Sequence, residues 1–320
     1  MSDRYPMKLR PYIAETVWGG NRLAEEYGID PQGRANVAEA WLLSTRENKS
    51  SAVENGACAG WTLDRLFLEC PELFGKKCAG RGVFPILAKF IDAREDLSIQ
   101  VHPGDDDDEV LGPGESGKTE CWYIVAADPG AKLYLGFSEA ITKAQFAAAI
   151  ENKTLMSYVQ AFEAEEGDFF YIPAGTLHAI GKGILLFEVQ QNSDTTYRVY
   201  DYNRLENGKP RPLHVEQARA VTDLEPYEPM RQKLGLFGSK KLISNELFTI
   251  DEWNGPFGFS DEAGEDSFVH LVFLEVDDEG CTLKCAGEEM PVHKGDSILI
   301  PAGAGEYSVD GKYHVLVTRL

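Results

Sequence analysis

Residues 167–175 read GDFFYIPAG and residues 295–303 read GDSILIPAG, 128 positions apart. Gly, Asp, Ile, Pro, Ala and Gly recur at the same offsets, six identities in nine. Each copy reads as a Gly-Asp turn, a short apolar strand and a Pro-Ala-Gly turn that leads into another strand. That is a β-hairpin unit of a small antiparallel barrel, and its recurrence predicts two such barrels in one chain. The copies differ in one informative place. Three residues after the closing glycine stands His178 in the first copy and Glu306 in the second. If His178 is a ligand, one barrel is active and the other is a structural descendant.

Working outward, the runs CWYIVA, KLYLGF, ILLFEVQ, TTYRVYDY, FVHLVFLEV, SILIPA and YHVLVTRL all read as strands, so the chain is mostly β with a few helices. TKAQFAAAIEN opens on a capping-box pattern, Thr142 with Gln145. WTLDRLFLECPELFG offers an amphipathic helix that Pro71 ends or kinks. A charge- and Pro-rich stretch from about Leu213 to Gly238 reads as a helix-containing connector. The expected organisation is a catalytic domain over 1–235, with an N-terminal extension and the connector, followed by a degenerate domain over 236–320.

Composition bounds the function. The 320 residues are 43% apolar and 26% charged, ordinary globular values, with a net charge of -21. That charge argues against nucleic acid or an anionic membrane as partner, and it obliges an anionic substrate to find a local group of Lys and Arg. No apolar run approaches a membrane span, and the start, MSDRYPMKLRPY, has no secretory h-region. The six cysteines follow no disulfide or zinc-knuckle spacing, and Cys281 and Cys285 read as packing residues. These features predict a soluble, cytoplasmic protein.

The candidate chemistry lies in LSIQVHPGDDDDE, residues 97–109, where Ser98, Gln100 and His102 alternate with Ile99 and Val101 and so share one face of a strand. GKTECWYIV places Lys118 and Glu120 together in the same way, and PAGTLHAI delivers His178 just after a turn. Gln100, His102, Glu120 and His178 make two imidazoles, a carboxylate and an amide. That mixture suits Zn²⁺ or another divalent first-row metal with a position left open. Glu188 is an acid in the otherwise apolar ILLFEVQQ, and Arg198 lies among aromatic and β-branched residues in DTTYRVYDY. Either these two form a buried ion pair, or with Lys118 they reach into the metal's cavity to bind a phosphorylated or polyhydroxylated substrate and move its protons. The acidic run Asp105 to Glu109 reads as a solvated loop. His214, His270, His293 and His314 read as surface or packing residues.

SIQVHP, KTECWYI, IPAGTLHAIG and DTTYRVYDY together resemble the class I mannose-6-phosphate isomerases of the short bacterial type. VWGG and AEAW, near the start, are similar to that family's N-terminal segments, with Ala38 where the family usually has Gly. The resemblance implies two cupin-type (jelly-roll) antiparallel β-barrels. It also implies one zinc ion per chain, held by Gln100, His102, Glu120 and His178, and catalytic roles for Arg198, Glu188 and Lys118. The implied reaction is the interconversion of mannose 6-phosphate and fructose 6-phosphate by proton transfer through an enediol. Glu188 is the first choice for the shuttle because of its apolar sequence surroundings, and Lys118 is expected to act on the phosphate or a sugar oxygen. Two competing readings are a metal-dependent cupin isomerase for another sugar phosphate and a non-catalytic, sugar-binding regulatory cupin.

Overall fold

In both copies of the repeat, the opening and closing glycines have positive φ, 83° and 84° at Gly167 and Gly175, 87° and 71° at Gly295 and Gly303. Only glycine takes that region without strain, which is why these letters recur. The aspartates do equivalent work. Asp168 accepts a hydrogen bond from the Glu165 backbone N–H and Asp296 one from His293, each 2.9 Å long. The computed structural model describes residues 4–107, 109–112, 114–206, 208–233, 237–277 and 280–320.

The strand of the first repeat, Asp168–Ile172, lies in a seven-stranded antiparallel sheet. Its order is Met230–Lys233, Asp168–Ile172, Glu120–Ala127, Ile184–Gln191, Ile86–Ala93, Glu39–Leu43 and Tyr12–Ala14. Facing it is a five-stranded sheet of Tyr197–Tyr200, Ile99–Val101, His178–Ile180, Lys132–Phe137 and Val159–Glu163. The apolar side chains between them include Ile91, Trp122, Ile124, Phe170 and Leu186 from one sheet and Leu133, Leu135 and Ile180 from the other. The strand of the second repeat, Ser297–Ile300, belongs to another seven-stranded sheet, which packs on a four-stranded one through Leu271, Phe273, Val315, Leu283 and Val309. The two seven-stranded sheets stack back to back over Phe90, Phe187, Tyr123, Val272 and Leu316. Helices Lys143–Glu151 and Val215–Val221 cover the outer face of the five-stranded sheet, over Ile99, Val101, Ala179 and Val199.

The mostly β, twice-repeated architecture matches the sequence reading, with three corrections of detail. Among the described residues none of the sheets closes into a barrel, so each expected barrel is described as a sandwich of two open, facing sheets. The connector is more than helix and loop, because Met230–Lys233 pairs with Asp168–Ile172 and extends the first sandwich by an edge strand. Met7–Arg10 and Ala52–Val53 pair into the sheet of the second sandwich. The expected boundary between residues 235 and 236 lies outside the described residues. Pro71 ends the helix Leu63–Glu69 and starts a 3₁₀ turn, Pro71–Phe74, and the Thr142–Gln145 capping box forms. His314 is not merely a packing residue, since its Nε2 lies 3.0 Å from Glu252 and 3.2 Å from the Tyr123 hydroxyl.

Candidate metal centre

Antiparallel register builds the site. His178 and Arg198 each sit directly opposite Gln100 on the two neighbouring strands, so the three form one row on the inner face of the five-stranded sheet. Across the sandwich, Trp122, Glu188, Lys89 and Trp41 form a row over four strands. The rings of Trp122 and His178 meet edge to face at 5.4 Å, closing the sandwich at that level. His102 follows the end of its strand. Its carbonyl accepts the Gly175 N–H at 2.9 Å, and so the Pro-Ala-Gly turn holds it level with His178. Lys118 is brought alongside by Gly117, where a Cβ would lie 2.5 Å from the Asp105 backbone nitrogen.

His102, Glu120 and His178 are all buried, with candidate ligand atoms within 4.8 Å of one another. His102 Nδ1 donates to the Thr195 carbonyl and His178 Nδ1 to the Thr176 carbonyl, each at 2.8 Å. Those bonds fix the tautomer and leave both Nε2 lone pairs facing inward, as metal-binding histidines need. The Nε2 atoms lie 3.5 and 3.4 Å from the Glu120 carboxylate. Burial, then Lys118 and the other imidazole, holds His102 well below its ordinary value, and burial lowers His178 to about 4. Both rings are therefore neutral donors at pH 7.

The test of fit is Glu120, whose two carboxylate oxygens are buried and receive no hydrogen bond. A buried carboxylate left so is costly unless a cation takes it. Lys118 stands 3.3 Å away and also contacts His102 Nε2 at 2.9 Å, without aligning a hydrogen bond to the acid. Gln100 presents its amide to His178 Nε2 at 3.3 Å, and a half-turn of that amide exchanges nitrogen for oxygen. The neighbouring Ser98 hydroxyl, 3.3 Å from the amide oxygen, can serve either orientation. One carboxylate, two neutral imidazoles and an amide oxygen fit a divalent first-row metal.

The cluster borders a cavity of about 320 Å³ lined by Gln100, Lys118, Glu188 and Arg198, and also by Lys49, Lys89 and Arg211. The sequence left open an ion pair between Glu188 and Arg198, and that pair does not form. Glu188 accepts the Trp122 indole N–H at 2.7 Å and lies 3.2 Å from Lys89, so its carboxylate is not in apolar surroundings as its strand suggests. Its second oxygen is buried without a hydrogen bond. Arg198 donates to the Pro212 carbonyl at 3.1 Å, and its Nε is buried without a partner. Burial, then the neighbouring Arg211, lowers this guanidinium from its ordinary value. In the acidic run, Asp105 accepts from the Gly117 N–H and the Gln191 amide, and Asp107 from the Gly104 N–H, so these two acids close loops. Residue 108 of that run lies outside the described residues.

Lys89 is absent from the sequence reading. Its ammonium lies 3.2 Å from both Glu39 and Glu188; burial opposes its charge more than either acid alone favours it, but the acids together raise its pKa. A lone Lys inside the fully buried strand ILAKFIDA carries the same signal as Glu188 in ILLFEVQQ.

Comparison with known proteins agrees with this geometry. Residues 7–128 match the family model "Phosphomannose isomerase type I, catalytic domain". Mannose-6-phosphate isomerase ManA of Bacillus subtilis is 37% identical, over 98% of this chain and 99% of its own. The chain belongs to the type I phosphomannose isomerase family. A Streptococcus mutans mannose-6-phosphate isomerase is 36% identical over 98% of both chains. The crystal structure of a B. subtilis mannose 6-phosphate isomerase superposes with a TM-score of 0.86 at 32% identity, covering 98% of this chain and 99% of that one. A zinc-bound mannose 6-phosphate isomerase shares the phosphomannose isomerase fold at a TM-score of 0.77 and 17% identity, covering 98% of each chain.

Proposed function

We infer that this chain interconverts mannose 6-phosphate and fructose 6-phosphate with the help of one zinc ion. The observation that carries the reading is the Glu120 carboxylate, buried between two inward-facing imidazoles and receiving no hydrogen bond even from the Lys118 ammonium 3.3 Å away. Gln100, His102, Glu120 and His178 would hold the metal, which supplies Lewis-acid stabilisation to the oxygens of the substrate's first two carbons.

The remaining chemistry falls to the side chains of the cavity. Aldose–ketose isomerisation moves one proton from C2 to C1 and another from O2 to O1, with negative charge developing on O1 and O2 in between. Glu188 takes the C2 proton and returns it to C1 through Oε1, which accepts no hydrogen bond although the Lys89 ammonium lies 3.2 Å from it, while the Trp122 indole holds Oε2 in place. Lys118, fixed among the ligands, donates to a sugar oxygen at the reacting end. Arg198 brings a charge that no carboxylate among the described residues pairs with, so an anionic substrate relieves the strain of its burial.

Among the described residues no helix is long and apolar enough to cross a membrane. Cys58, Cys78, Cys121, Cys281 and Cys285 are free thiols, which supports a reducing, cytoplasmic location. The net charge of -21 argues against nucleic acid as partner.

The test is a coupled assay of purified protein on mannose 6-phosphate before and after chelation. Activity is expected to vanish with the metal and return as one equivalent of Zn²⁺ per chain is restored. His178→Ala loses metal and activity together, and Glu306→Ala loses neither. Full turnover after exhaustive chelation, or two tightly held metals per chain, overturns the reading.

A further inference from the structure

Among the described residues, Lys49, Lys89, Lys118, Arg198 and Arg211 are the cationic side chains that line the cavity. Arg198, assigned above to the developing negative charge, makes no ion pair among the described residues. The other four have acid partners that differ in burial, and that difference decides which of these four a dianion can recruit. Lys118 is committed to Glu120, the two side chains being 6% and 1% exposed. Lys89 is shared between Glu39 and Glu188. Arg211 makes two hydrogen bonds to Asp201, of 2.7 and 2.6 Å. Lys49 is paired with Asp194, and there 38% and 43% of the side chains face solvent. A solvent-facing pair of this kind contributes little and exchanges partners readily.

The location of the pair adds a second argument. Lys49 and Asp194 line the reaction cavity and also a neighbouring open cavity of about 570 Å³, so they stand in the wall between the two. The Lys49 ammonium lies 4.8 Å from the centroid of the Trp41 ring, which steadies it without adding a charge. Around Asp194 the backbone is tied down. Gln190 donates to the Ser193 carbonyl at 2.7 Å, and the Thr195 carbonyl holds His102 at 2.8 Å. The Asp194 side chain, held by Lys49 alone among the described residues, borders the second cavity, which gives it room to swing.

We propose that Lys49 anchors the substrate's phosphate, and that Asp194 is a resident competitor which the phosphate displaces from the ammonium toward the neighbouring cavity. This rests on the sugar-phosphate reading above. The chemistry occurs at C1 and C2 beside the buried cluster, whereas the phosphate is carried on C6, so its cation belongs toward the solvent-facing end of the cavity. Lys49 satisfies that requirement and Lys118 does not.

The test pairs two variants of opposite expected sign on the metal-loaded enzyme. Lys49→Met raises KM for mannose 6-phosphate by about tenfold or more, as loss of a charge-assisted contact does, and changes kcat far less. Inhibition by inorganic phosphate weakens in parallel. Asp194→Asn removes the competitor, so KM and the inhibition constant for inorganic phosphate both fall severalfold. A purely structural ion pair predicts the reverse for Asp194→Asn, and a rise in its phosphate inhibition constant overturns the proposal. So does unchanged phosphate inhibition in Lys49→Met. Should the wild type fail to turn over mannose 6-phosphate, the functional reading falls. Calorimetric titration of all three proteins with inorganic phosphate then still reads the anchor directly, with the same two signs expected.

Discussion

Lys89 shows how one buried charge can organise a site. Its side chain is 9% exposed and bridges Glu39 to Glu188, whose indole partners are Trp41 and Trp122, each 2.7 Å from its acid. Lys89→Met leaves the buried Glu188 carboxylate facing the partly buried Glu39, and removing one partner of a buried pair costs about 3–5 kcal/mol. A urea melt is expected to show that loss, and Lys89→Met combined with Glu39→Gln is expected to recover part of it. No recovery in the double variant would mean that the stem of Lys89, rather than its charge, matters. Arg198 makes a different kind of contribution. Arg198→Ala keeps its metal and loses roughly a hundredfold in kcat, a typical result of removing one preorganised stabiliser of developing charge. Lysine at that position rescues only part, since it offers a point charge in place of a planar fork. At this scale the sequence was legible wherever alternation put a polar residue on an inner face, as for Gln100, His102 and Glu120. Lys89 carried the same signal, but only the register Lys89↔Glu188 brings its partner beside it.

Hairpins and turns were the most legible elements, because their chemistry is local. The repeated glycines mark positive φ in both copies, yet the two turns are not equally tight. A Cβ on Gly175 would stand 3.2 Å from the Val221 carbonyl, and one on Gly295 only 2.4 Å from the Tyr27 carbonyl. The left-handed backbone alone costs an alanine about 1–2 kcal/mol. Gly295→Ala is expected to cost more than that, because the clash is with backbone, and more than Gly175→Ala does. Equal melting temperatures for the two variants would contradict this ranking. Pairing between distant elements was illegible for the converse reason. Met7–Arg10 pairs with Ser297–Ile300 at the other end of the chain, and nothing in MKLR names its partner. Met230–Lys233, a short and mostly exposed edge strand of long polar side chains, carries no strand signal of its own.

For the whole molecule, the stacking of two sandwiches explains why strands such as ILAKFIDA and ILLFEVQQ are buried on both faces and read as continuous apolar runs. It also buries His270 on the stacked side of the second sandwich, between the alternate core residues Val269 and Leu271 that face the other way. His270 Nε2 lies 2.8 Å from the Ser297 hydroxyl, which itself reaches the Leu42 carbonyl, while Nδ1 is buried without a partner. Burial lowers this imidazole to about 3 from an ordinary 6.5. The sign of the linkage follows. Between pH 6.5 and 3 the unfolded chain binds a proton at this residue that the folded one refuses, so stability falls as pH falls through that window. One proton of difference is worth up to about 1.4 kcal/mol per pH unit. His102 and His178 add slopes of the same sign in metal-free protein, so the contribution of His270 must be read as a difference. His270→Leu keeps the apolar packing, leaves Ser297 its contact with Leu42, and removes the titrating group. In urea melts of metal-free protein at pH 6.5, 5.5 and 4.5, the wild type is expected to lose stability more steeply than His270→Leu. The gap between the two should widen by up to about 1.4 kcal/mol at each step. Parallel curves would mean that the interface between the sandwiches opens enough to admit a proton at His270, and that the stacking is looser than its buried core implies.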